Sequence, residues 1–184
     1  RHVRAKAAAS RLQQLREFRR AGAVAMDLDP DQLHIGVAAL RSGKLVLLPS
    51  PEPSVSFFVL SPSAMDPSQY PRALSPSGVS IFGRPLELGA RISAIVVTGS
   101  VAVDEATGQR RPRVAGAFSI VDYGNLRSMG GRPLVVTLVD DIALARPTEN
   151  VSCSDVPADI ICTPTRTVRT SHTAGLLPSF FLED

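Results

Sequence analysis

Ile92-Ser93-Ala94-Ile95-Val96-Val97-Thr98-Gly99-Ser100 is the stretch on which the fold turns. From residue 92 to 98 it is mostly apolar and largely β-branched, with no regular in-out alternation, and Gly99-Ser100 close it. A strand with one wet face alternates, whereas a strand without alternation is covered on both faces. Leu45-Val46-Leu47-Leu48-Pro49, residues 134–139 and residues 159–162 share this character. The last of them runs into Thr163-Pro164-Thr165-Arg166. Helical patterns lie between the apolar runs. Asp29-Pro30-Asp31 is a helix start, Leu33, Val37 and Leu40 follow at helical spacing, and Gly43 ends that helix. Residues 120–129 read as a second helix, closed by Gly130-Gly131. Buried strands alternating with helices predict an α/β fold around a mostly parallel sheet.

The flanking regions are less regular. Residues 4–20 predict one amphipathic helix, with Ala8, Leu12, Leu15 and Phe18 on a stripe and arginines around it. Residues 50–90 are rich in Pro and Ser, with a strand at Phe57-Phe58-Val59-Leu60 and a short helix near residues 65–74. A loop region this long is expected to form a lid or pocket walls. Residues 104–108 read as a hairpin-like turn. At 184 residues the chain suits one domain, expected over 1–170. A tail over 171–184 turns from polar to apolar at Leu176, Leu177, Phe180 and Phe181.

Composition removes several classes of function. The net charge is +3, but residues 1–20 alone carry +6, from seven basic residues against Glu17, so the rest carries −3. No basic stripe interleaved with aromatics is present, so no nucleic-acid partner is expected. No apolar run approaches membrane-spanning length, so no membrane partner is expected either. Cys153 and Cys162 are too few for a disulfide scaffold and read as half-buried thiols of a reducing compartment, the cytoplasm. His2, His34 and His172 lack ligand spacing, so no metal site is expected from them. The chain opens at Arg1 without an apolar leader pattern, and no secretory signal is expected. Eighteen of the twenty basic residues are arginine, which fits a GC-rich bacterial genome. The oligomeric state is not legible.

Ligands of parallel sheets sit beyond the carboxyl ends of the strands. The polar residues there are Gly99-Ser100, Asp140-Asp141 and the Thr163 to Arg166 segment. Each also has a structural use: an Asp caps a turn and a Thr satisfies backbone groups.

Several of these segments resemble one known family. The run Val96-Val97-Thr98-Gly99-Ser100-Val101-Ala102-Val103, Val121-Asp122-Tyr123, residues 133–139 and Ile161-Cys162-Thr163-Pro164-Thr165-Arg166 are similar, in this order, to the 5-formyltetrahydrofolate cyclo-ligase family. The likeness is nearest to its longer branch, the methenyltetrahydrofolate synthetase domain proteins. Asp29-Pro30-Asp31 and Leu47-Leu48-Pro49-Ser50-Pro51 also fit, and the resemblance spans residues 8 to about 170. It implies a three-layer α/β sandwich related to the ribose-5-phosphate isomerase and CoA-transferase group. It also implies ATP- and magnesium-dependent closure of 5-formyltetrahydrofolate to 5,10-methenyltetrahydrofolate. In that reaction ATP phosphorylates the formyl oxygen, a ring nitrogen attacks, and phosphate leaves.

The chain departs from the family pattern where phosphate and metal would be held. The family loop Gly-Lys-Gly-(Glu or Gly)-Gly-Tyr-(Ala or Tyr)-Asp reads here Arg113-Val114-Ala115-Gly116-Ala117-Phe118-Ser119-Ile120. One glycine remains, Val114 stands for the Lys, and Ile120 stands for the metal-side Asp. Side chains replace the glycines that let a backbone approach phosphate. The branch's His-Asp is Asp140-Asp141, its Pro-Thr-Pro-Arg is Pro49-Ser50-Pro51-Glu52, and its basic first helix would precede Arg1.

The expectation is a diverged member that needs no cofactor. It acts by acid/base cyclisation or condensation on another small, partly apolar organic molecule, as in specialised biosynthesis. Asp140, Glu52 and Asp141 are the candidate catalytic carboxylates, with desolvation beside apolar walls expected to raise the pKa of Asp140 or Glu52. Phe57, Phe58 and Phe118 are the candidate apolar walls, with Ser100 at a strand end. Tyr123 donates a proton or packs, and Arg166 anchors a substrate carboxylate. Two alternatives stand beside this: a genuine ATP- and magnesium-dependent cyclo-ligase, and a non-catalytic small-molecule-binding or scaffold protein.

Overall fold

The computed structural model describes residues 2–52, 54–87, 89–112, 118–145 and 156–174. In chain order the elements are α1 (His2–Gln14), α2 (Arg16–Arg20), β1 (Ala23–Met26), α3 (Leu33–Arg41), β2 (Leu45–Pro49), β3 (Phe57–Leu60), α4 (Tyr70–Ala73), α5 (Pro76–Phe82), β4 (Arg84–Pro85), β5 (Ala94–Asp104), β6 (Arg110–Pro112), α6 (Ile120–Gly130), β7 (Leu134–Leu138), β8 (Leu144–Ala145), β9 (Ile160–Cys162), β10 (Thr167–Arg169) and α7 (Ser171–Ala174). One sheet runs β10-β9-β7-β5-β1-β2-β3-β4, with β6 and β8 beside the second half of β5. Its centre, β9-β7-β5-β1-β2, is parallel throughout. The outer strands β3, β4 and β10 are antiparallel. The three-layer α/β expectation holds: helices flank both faces of a central sheet.

The four apolar runs become β2, β5, β7 and β9. The sequence reading lacked β1, which lies at the middle of the sheet between β2 and β5. Ala23-Val24-Ala25-Met26 is short, and alanine has weak strand propensity, so its β character comes from neighbours on both sides. All four side chains are buried. A second correction concerns β5, which continues past Ser100 to Asp104, with a register shift between Ser100 and Ala102. Its hairpin into β6 turns at Gly108, whose φ of +75° suits glycine. A Cβ there would also meet the Ala158 carbonyl oxygen at 2.0 Å.

One face of the sheet is covered by α1, α3 and α4, which bring Leu12, Ile35, Leu40 and Tyr70 against Val24, Val97 and Val136. Burying a leucine-sized side chain contributes about 1.5–3 kcal/mol. The predicted single helix over 4–20 is two helices, because Leu15 is extended (φ −64°, ψ 138°). The predicted stripe still packs inward, with Ala8, Leu12 and Phe18 buried on either side of the break. Lys44 closes the end of α2 by donating from Nζ to the carbonyls of Arg19 (3.0 Å) and Ala21 (2.8 Å). The opposite face is covered by α6, which sets Leu126 against Val96 and Val135. Among the described residues, no helix is long and apolar enough to cross a membrane.

At the amino ends of β7 and β9 a buried carboxylate ties several elements together. Asp159 Oδ2 accepts from Val135 N at 2.8 Å. Its Oδ1 lies 2.5 Å from Arg132 Nη2 and 2.9 Å from His172 Nδ1. The first tail residues are thereby docked, and Ser171 N also donates to Ala106 O. Residues 175–184, with the predicted apolar tail, lie outside the described residues, as does Cys153.

Candidate functional site

The chain lays β2 on one side of β1 and then adds β5, β7 and β9 on the other. The direction of winding therefore reverses between β1 and β5. At such a switch the loops leave the sheet in opposite directions and open a crevice beyond the strands' carboxyl ends. A cavity of about 620 Å³ opens at this end of the sheet. Its walls come from Asp29, Asp31 and Gln32 after β1, from residues 99–101 of β5, and from the segment after β7. Ala5 and Ala8 of α1 cover it.

The turn after β1 is built locally. Asp29 Oδ1 accepts from Asp31 N at 2.9 Å, and Pro30 starts a 3-10 turn that leads into α3. The Gln32 amide, with its nitrogen toward Val97 O (3.1 Å) and its oxygen toward Gly99 N (2.8 Å), is held against the backbone of β5. Asp140 caps the turn after β7 through Ile142 N at 3.4 Å and lines the cavity. The cavity thus combines Leu138, Val139, Ile142 and Ala143 with the carboxylates of Asp29, Asp31 and Asp140.

Of the residues singled out from the sequence, Ser100 and Asp140 line this cavity. The Ser100 hydroxyl is 2.7 Å from Thr137 Oγ1. Asp141 points to the neighbouring turn, where Thr165 Oγ1 donates to it at 2.6 Å. The hydroxyls of Thr163 and Thr165 hold its pKa below the usual carboxylate value. Arg166 is in that turn and pairs with Glu105 at 2.8 Å, both exposed.

The others stand elsewhere. Glu52 is exposed in the turn after β2 and is not among the lining residues. Phe57 and Phe58 are consecutive in a strand and so enter opposite faces. Phe57 joins the α6-side core and stacks on Phe118, with ring centroids 6.1 Å apart, while Phe58 packs on the other side. Tyr123 packs on α6 near Arg132, and burial raises its pKa. None of the described residues of 50–90, expected to form a lid or pocket walls, lines this cavity, although Pro71 joins Leu33, His34 and Val37 in the wall of a second pocket. That region instead supplies the antiparallel edge, three strands away from β5.

A second polar cluster lies on the α6 side of the same strand ends. Asp27, directly after β1, accepts from Phe118 N at 2.7 Å through Oδ1. Burial is the main cause that raises its pKa; the Phe118 N–H and then Arg110 oppose it, and Asp29 and Asp122 raise it further. Arg110 is 1% exposed, donates from Nε to Val156 O at 2.9 Å, and reaches Thr98 Oγ1 at 3.5 Å. At the start of α6, Ser119 N donates to Asp122 Oδ2 (2.8 Å) and Asp122 N to Ser119 Oγ (3.2 Å), a reciprocal cap. The sequence reading missed Asp27 and Gln32, and took Asp29 and Asp31 as a helix start and part of the family resemblance, not as site residues. The available signal was an acidic residue directly after a short apolar run, hidden because that run was not read as a strand. Residues 113–117, the body of the altered loop, lie outside the described residues. Among the described residues, no group of three or more His, Cys, Asp or Glu is arranged to hold a metal ion.

Comparison with known proteins agrees with this architecture. The sequence profile of the 5-formyltetrahydrofolate cyclo-ligase family matches residues 1–164. The methenyltetrahydrofolate synthase domain-containing proteins of Homo sapiens and Danio rerio are each 30% identical over 170 residues, which is 89% of this chain and 44% of theirs. The chain therefore spans under half the length of these relatives. The NMR structure of Aquifex aeolicus 5,10-methenyltetrahydrofolate synthetase matches with a TM-score of 0.57 over 90% of this chain and 80% of that one. At 19% identity it speaks for the fold alone. By sequence profile, relatives and fold together, the chain belongs to the 5-formyltetrahydrofolate cyclo-ligase family.

Proposed function

We propose that this protein is an ATP-independent enzyme of a cyclo-ligase lineage, acting by acid/base cyclisation or condensation on a small, partly apolar organic molecule. The cavity at the strand ends carries the reading: about 620 Å³, apolar on Leu138, Val139 and Ile142, with carboxylates on its walls. Such a pocket folds an organic ligand and excludes water from it, bringing two of its atoms together. Asp140 is the proton carrier in this reading, with Asp29 and Asp31 completing the polar wall. Ring closure then needs one proton taken from the attacking group and one delivered to the oxygen that leaves.

The residues at the start of α6 do not fit a magnesium-bound phosphate chain. Phe118 N and Ser119 N already serve Asp27 and Asp122. Ile120, 54% exposed, brings no metal-side carboxylate. Isothermal titration with magnesium-ATP tests this directly, paired with an assay for ATP-dependent methenyl-folate absorbance. No saturable binding and no absorbance are expected. Either signal restores the ATP-dependent cyclo-ligase. A soak with a panel of aromatic acids is expected to fill the cavity, with Asp140→Asn weakening the bound compound more than Glu52→Gln.

A further inference from the structure

We propose that Asp27 sets the charge preference of the crevice by acting as a built-in anion, so that the ligand carries no phosphate where it meets the start of α6. This rests on the ATP-independent reading and names the residue responsible for it. The start of a helix normally attracts anions, because its first N–H groups lack partners and the helix dipole is positive there. In this protein the two N–H groups that lead into α6, Phe118 N and Ser119 N, and that of Asp122 in its first turn are answered from within. Asp27 reaches across from the end of β1 to Phe118 N, and Asp122 reaches back to Ser119 N.

The cation of the same corner is engaged as well. Arg110 is buried, donates to Val156 O, and acts on Asp27 through its charge. An arriving phosphate would have to displace a covalently tethered carboxylate from its N–H. It would also meet the negative charges of Asp27, Asp29 and Asp122 together. The tethered group wins because it pays no translational entropy to stay. Among the described residues, Asp27 is the carboxylate that crosses from the sheet to the α6 start. It is therefore the one whose charge can be removed without uncapping the helix.

The test uses inorganic pyrophosphate in magnesium-free buffer, titrated into the intact chain and followed by calorimetry and amide NMR. Wild type is expected to show no saturable binding. Asp27→Asn keeps an acceptor for Phe118 N and removes the charge, and is expected to bind saturably, at least tenfold more tightly than the weakest binding the titration of wild type would detect, with shifts at residues 118–120. Asp66→Asn removes the same charge from an exposed turn and is expected to behave as wild type. A folded Asp27→Asn that binds no better than wild type overturns the proposal and leaves the ATP-independent reading standing. An equal gain in Asp66→Asn also overturns it, since net charge alone would then explain the effect. Saturable magnesium-ATP binding by wild type that Asp27→Asn abolishes overturns both readings, and makes Asp27 part of a nucleotide site.

Discussion

Asp159 and Asp27 sit at opposite ends of the same parallel sheet, and the sheet treats them differently. Asp159, at the amino ends of β7 and β9, is fully buried and meets Val135 N, Arg132 and His172. Asp27, at the carboxyl end of β1, is half-buried, has one N–H on Oδ1, and is raised in pKa by burial. A buried charge with several partners holds elements together, whereas one desolvated with few partners is poised to change its proton or its partner. The amino edge is the anchor of this molecule, and the carboxyl edge is the face that carries the proposed site.

Removing the anchor gives the largest expected effect. Asp159→Ala strips the partner from Arg132 and His172 and leaves Val135 N without its acceptor. Loss of one member of a buried charged network costs about 3–5 kcal/mol. Urea denaturation should show that loss, and a change below about 1 kcal/mol would break the contrast between the edges. His172→Asn sharpens the same point. The His172 side chain is 32% exposed and Arg132 still faces Asp159, so a loss of no more than about 1 kcal/mol is expected.

The carboxyl edge predicts the opposite sign. Because burial raises the Asp27 pKa, the folded protein holds that proton to higher pH than the unfolded chain does. The associated cost is absent below the unfolded value of 3.8, grows as pH rises toward the raised folded value, and is constant above it. Asp27→Asn should therefore melt higher than wild type at pH 7, and the two curves should converge as pH falls below 3.8. Equal or lower stability at pH 7 would mean that the Phe118 contact outweighs desolvation.

The smallest effect is a silence. Cys162, at the carboxyl end of β9, has its thiol pushed up to about 11 by burial. In a Cys153→Ser background it should not react with a disulfide reagent at pH 8 until denaturant is added. Fast labelling of the native protein would show that the carboxyl edge is open at β9.

The apolar runs were legible because their character is local: a segment such as Val96-Val97 or Val135-Val136 needs no partner to declare that both its faces are covered. Ser100 and Asp140 were legible for the same reason, being polar residues where such runs end. Phe57 and Phe118 misled because an aromatic residue reads alike in a core and in a pocket, and only the strand register turns Phe57 onto Phe118. Glu52 misled because a strand end says nothing of that strand's distance from the cavity. Four residues at β1 were too few, and too rich in alanine, to announce a strand.

The sequence by itself determined that this chain builds a parallel α/β sheet, where its main apolar strands lie, and to which family it is similar. Those properties follow from periodicity and residue order, which each segment carries alone. The tertiary structure decided that β1 lies beside β5, which brings Asp29 and Asp140 to one cavity and Asp27 to the start of α6. Strand order is set by how whole faces pack, a sum over contacts between segments far apart in the chain, and no single segment records it.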